Sequence, residues 1–77
     1  MDDYAAWAQQ YYDEATKINE RTDDLRRQLL NKRLTHEQRH EISIRIIAYE
    51  EIHYDLITAY QTLKERSENL HKESKMK

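Results

Sequence analysis

Apolar residues recur along this chain in two long stripes whose steps alternate four, three, four, three, with one polar break between them. The first stripe runs Tyr4, Ala8, Tyr11, Ala15, Ile18, Thr22, Leu25 and Leu29. The second runs Ile42, Ile46, Tyr49, His53, Leu56, Tyr60, Leu63, Ser67 and Leu70. A mean step of about 3.5 residues is the seam of an α-helix that lies along another helix with a left-handed wrap. Two such seams joined by a short break predict an all-α fold, an antiparallel and coiled-coil-like hairpin.

Composition supports long helices. The chain has no glycine, proline or cysteine, so both usual helix breakers are missing and neither a disulfide framework nor a thiolate metal site can be built. Charged residues make up 36% of the chain, which would suit disorder if the apolar residues were scattered. Because they are periodic, the charges read as solvated helix faces. No stretch approaches the roughly 20 apolar residues that span a bilayer. The acidic start also lacks the basic and apolar pattern of a signal peptide, so the expected location is the cytoplasm with no membrane partner.

The boundaries follow from capping chemistry. Asp2 or Asp3 can accept hydrogen bonds from the free N–H groups of a helix starting near residue 3. Arg26, Arg27, Lys32 and Arg33 suit the negative end of that helix, which is expected to run to about residue 31. Asn31 is expected to take a left-handed backbone in place of glycine. A loop of about residues 32–35 then leads to Thr35 and Gln38, which have the spacing of a capping box, with Leu34 at the staple position opposite an unsuitable Arg39. The second helix is expected over about residues 36–72, fraying through residues 72–77, and the whole chain of 77 residues forms one hairpin domain. A break at residues 19–24 would make three helices, but the stripe crosses that segment without a phase shift. The favoured register sets Leu25 on Ile42, Ala15 on His53 and Ala8 on Tyr60; a half-heptad shift sets Ala15 on Leu56 and Ala8 on Leu63.

His36, Glu37 and His40 match H-E-x-x-H, in which two histidines one turn apart bind zinc and the glutamate acts on metal-bound water. Zincin chemistry also needs a third protein ligand and a groove that excludes water, and a hairpin tip supplies neither. The pentapeptide therefore reads as chance. No enzyme activity, cofactor or metal is expected. His53 lies on the second stripe and reads as a core or interface histidine.

The net charge of −2 is unevenly spread. Folding the hairpin gathers Arg26, Arg27, Lys32, Arg33 and Arg39 into a basic tip and leaves an acidic middle. Helix-dipole complementation explains most of this. A contact with phosphate or an acidic partner is the functional alternative, without the interleaved aromatics or reading motif of a nucleic-acid binder.

The apolar residues outside the stripes say more. Ile44, Ile47, Ile52, Tyr54 and Ile57 spread around the second helix, and one partner helix cannot cover them all. On the first helix, Trp7 and Tyr12 flank the stripe on opposite sides. Aromatic residues of this kind are enriched among interface anchors. The expected protein-binding set is therefore Trp7, Tyr12, Ile44, Ile47, Tyr54 and Ile57. The sequence reads as a small non-enzymatic protein-interaction module, an adaptor, regulator or inhibitor of a larger protein partner, that dimerises into a four-helix bundle. The competing reading is a nucleic-acid-associated accessory protein that uses the basic tip.

Overall fold

The computed structural model describes residues 3–75, with side chains through residue 69. Helices α1 (Tyr4–Gln28) and α2 (His36–Lys75) pack against each other as the antiparallel arms of a hairpin measuring 64 × 17 × 14 Å. At 1.5 Å per residue, α1 is about 37 Å long and α2 about 60 Å, so the second arm sets the length of the molecule. Neither helix is interrupted, and α1 passes through residues 19–24 without a break. Among the described residues, no helix is long and apolar enough to cross a membrane.

Asp3 caps α1: its Oδ1 accepts from the Ala6 N–H at 3.0 Å. Asp2, the other expected cap, lies outside the described residues. At the far end α1 stops at Gln28, three residues short of the expected boundary. The reason is a tightening of the hydrogen-bond ladder. Leu30 donates to the Arg27 carbonyl and Asn31 to that of Gln28, so the last turn closes with i→i−3 bonds instead of continuing the α-helix. The second helix reaches Lys75, beyond the expected boundary near residue 72, and Met76 and Lys77 lie outside the described residues.

The turn at residues 29–35 corrects the expectation for Asn31. Among the described residues no side-chain-bearing residue has a positive φ, so the chain reverses without a left-handed position. Two side chains do the work that glycine commonly does. The Asn31 Oδ1 accepts from the Arg33 N–H at 3.0 Å, which closes a local turn. Arg39 then reaches back from α2 and donates to the Leu29 carbonyl at 3.0 Å and the Asn31 carbonyl at 2.9 Å. The Leu29 carbonyl, at the cap of α1, has no helical partner, and the Asn31 carbonyl lies in the turn, where it also accepts from the Leu34 N–H at 3.4 Å. Arg39, unsuited to a hydrophobic staple, is thus a polar one. The capping box forms as its spacing predicts, with Gln38 N–H donating to Thr35 Oγ1 at 3.1 Å and Thr35 N–H donating to Gln38 Oε1 at 2.9 Å.

Between the arms the interior is thin. The buried side chains among the described residues are Ala8, Ala15, Thr22, Leu25 and Ile46, and no large side chain is fully buried. Ala8, Ala15 and Thr22 follow one another at heptad spacing, which puts a line of small residues where α1 meets α2. The Thr22 hydroxyl donates to the Ile18 carbonyl at 2.8 Å, so burying it leaves no polar atom unpaired. Larger stripe residues such as Ile18, Tyr49, His53, Leu56 and Tyr60 are only half-buried.

Ala15, at 1% exposure, is the most enclosed of these positions. Ala15→Leu is expected to overpack the contact and cost roughly 1–3 kcal/mol, measured by urea denaturation at fixed protein concentration. A rise in stability would show instead that the arms leave room at this level.

Candidate functional site

The side chains that could meet a partner fall into three places. The first is an open groove between the arms, about 610 Å³ in volume, lined by Trp7, Gln10, Tyr11 and Glu14 of α1 and by Leu56 and Leu63 of α2. The helical spacing of seven, ten, eleven and fourteen puts the four α1 residues on one flank. Trp7 is held edge-on by Tyr4, with ring centroids 5.8 Å apart and planes at 84°, a favoured aromatic geometry that still leaves the indole 47% exposed.

The second place is the back of α2, turned away from α1. Ile44, Ile47 and Tyr54 stand there at steps of three and seven, so they share a side of the helix. They are 52%, 57% and 71% exposed. A shallow depression beside them is lined by Ile47, Tyr54 and the carboxylates Glu50, Glu51 and Asp55. Its charge is one-sided, because residues 46–63 contain three acidic residues and no lysine or arginine.

The third place is the tip. Of the five cations expected to form a basic patch there, three have internal partners. Arg26 bridges the arms, donating to Glu50 at 2.7 Å and to Asp23 at 3.1 Å. The Glu50 hydrogen bond is the main reason that the Arg26 pKa lies above its ordinary value. Arg27 pairs with Asp24 at 3.2 Å, and Arg39 is the carbonyl staple of the turn. Lys32 and Arg33 make no ion pair among the described residues. Beside them Leu30, at 78% exposure, is the most exposed of the large apolar side chains among the described residues.

The residues expected to form one protein-binding surface are therefore divided. Trp7 lines the groove, whereas Tyr12, about 140° further around α1, packs its ring 5.3 Å from that of Tyr60 on the other flank. Ile44, Ile47 and Tyr54 lie behind α2, and Ile57 is half-buried. Sequence reasoning assigned Tyr11, Leu56 and Leu63 to the seam and so passed over their second role as walls of the groove. A stripe residue on a hairpin with no further covering helix shows one side to solvent, and that geometry is the signal that could have found them.

His36, Glu37 and His40 are all exposed in the first turns of α2. Among the described residues no group of three or more His, Cys, Asp or Glu is placed to hold a metal ion. Comparison with family models, with curated proteins and with solved structures gave no match.

The pentapeptide is expected to be dispensable. A chain carrying both His36→Ala and His40→Ala should keep its helicity, and neither it nor the parent should purify with stoichiometric zinc. Elemental analysis together with circular dichroism checks this; bound zinc in the parent, lost with stability in the variant, would reverse the conclusion.

Proposed function

We propose that this protein is a non-enzymatic interaction module that self-associates, with two coiled-coil-like hairpins forming a four-helix bundle, and that it serves as an adaptor, regulator or inhibitor of a protein partner. The observation that carries this reading is the imbalance between interior and surface. Among the described residues five side chains are buried, three of them Ala or Thr, while eight large apolar residues are exposed, and those on α2 lie on sides that α1 does not cover. Chains of this size rarely gain enough from a single core to offset the entropy of ordering the backbone, and oligomerisation is a common remedy. Burying apolar area at about 25 cal/mol per Å² rewards association of such faces.

The division of the surface lets self-association and partner binding use different residues. The back of α2 suits a second copy, leaving the groove at Trp7, Tyr11, Leu56 and Leu63 for an apolar segment of a partner. Within that groove Trp7 has the character of an anchor, a large ring already positioned by Tyr4. The nucleic-acid reading has less support, because internal partners for Arg26, Arg27 and Arg39 leave Lys32 and Arg33 as the basic groups at the tip without a bonded partner among those expected there.

Sedimentation equilibrium at micromolar concentration is expected to give a mass above the 9.5 kDa of one chain. The melting temperature should also rise with protein concentration, as mass action requires when association and folding are coupled. A single 9.5 kDa species with a concentration-independent melt would overturn the self-association reading.

A further inference from the structure

We infer that the second copy docks through two reciprocal contacts, in each of which the basic tip of one hairpin sits on the acidic, apolar back of the other's α2. This inference rests on the self-association proposed above and specifies its geometry. The two surfaces match in chemistry. The tip offers an exposed Leu30 beside Lys32 and Arg33; the back of α2 offers exposed Ile47 and Tyr54 beside Glu51 and Asp55. None of these four charged side chains makes an ion pair among the described residues. Glu50, the remaining carboxylate of the depression, is already held by Arg26.

The distances are consistent with a closed pair. The middle of the Ile47–Tyr54 patch lies about 22 Å along α2 from the helix start, at 1.5 Å per residue. A two-fold axis that brings each tip to the other's patch must then cross α2 about halfway, roughly 11 Å from the start, next to residue 43 or 44. The side chain there is Ile44, apolar, exposed and on the same side of the helix as Ile47 and Tyr54. An isologous dimer brings a residue near its axis against its own copy, and an apolar residue tolerates that where a charge would not. Over the overlapping stretch the assembly has four helices in cross-section. The groove at Trp7 lies toward the opposite end of each hairpin and stays open.

Charge reversal tests the pairing. One variant carries Lys32→Glu and Arg33→Glu; a second carries Glu51→Lys and Asp55→Lys. In either homodimer both contacts become repulsive, and each variant alone is expected to associate about tenfold or more weakly than the parent by sedimentation equilibrium. Mixed together, the two variants have opposite charges at both contacts, so an equimolar mixture is expected to regain parental association and helicity. The parent has no cysteine, so Ile44→Cys introduces a single thiol, which under mild oxidation should cross-link copies across the axis. A Trp7→Cys chain should cross-link far more slowly. If the parent associates but the variants associate equally well, or the mixture fails to recover, this geometry is wrong while self-association stands. A parent that is monomeric throughout removes both.

Discussion

The contact between Ala8, Ala15 and Thr22 of α1 and the facing side of α2 is the constraint on which the rest of the molecule depends. Small residues at heptad spacing let two helices approach closely, and close approach aligns the arms over several turns. The same choice limits what can be buried. A line of small side chains removes little apolar area from water, so larger stripe residues stay half-covered, and among the described residues Leu25 and Ile46 are the only large ones that are nearly enclosed. The exposed isoleucines and aromatics follow from this geometry. A hairpin with so narrow an interior either remains marginal or covers its outer faces with something else.

Polar groups accomplish at the tip what apolar packing cannot. With no glycine in the chain, the reversal uses Asn31 to close a turn and Arg39 to hydrogen-bond the carbonyls of Leu29, at the end of α1, and of Asn31, in the turn. At the start of α2, the Thr35–Gln38 pair satisfies free N–H donors of the helix end. The two helix ends are thereby finished from opposite sides of one short loop, which sets where α2 begins relative to α1. Further down, Arg26 ties that alignment across the arms to Glu50. These bonds are solvent-accessible and individually modest. Their collective role is to select one alignment among those that the repetitive stripe allows.

The hairpin was legible because helix periodicity depends on local spacing, and the buried residues among those described, Ala8, Ala15, Thr22, Leu25 and Ile46, all lie on the stripes. The capping box was legible for the same reason, being a pattern of neighbours. What escaped depended on long side chains and on absent neighbours. Arg39 looked like a misplaced staple because its partners are backbone carbonyls eight and ten residues away, which no spacing rule announces. The basic tip looked larger than it is because Arg26 finds Glu50 only after the chain has folded back. Spacing placed Trp7 and Tyr12 on opposite flanks of α1, but it did not say what α2 sets beside each of them, so the candidate binding residues were grouped as one set. Turning Trp7 and Tyr12 to opposite sides, and Tyr54 behind α2, splits it into surfaces with different neighbours.

That split bears on how a chain this small could serve both itself and a partner. If one patch had to bind both, each occupant would exclude the other, and association would compete with function. Here the surfaces differ in chemistry as well as position. The groove combines Trp7 and Tyr11 with leucines and a single carboxylate, Glu14, a composition suited to an apolar segment. The back of α2 is ringed by carboxylates and is the natural counterpart of a surface that carries positive charge. Charge sets orientation more than affinity in such contacts. In the proposed dimer, the segregation of cations at the tip and anions along residues 46–63 would choose one arrangement among several of similar apolar area, with Ile44, Ile47 and Tyr54 supplying the area itself.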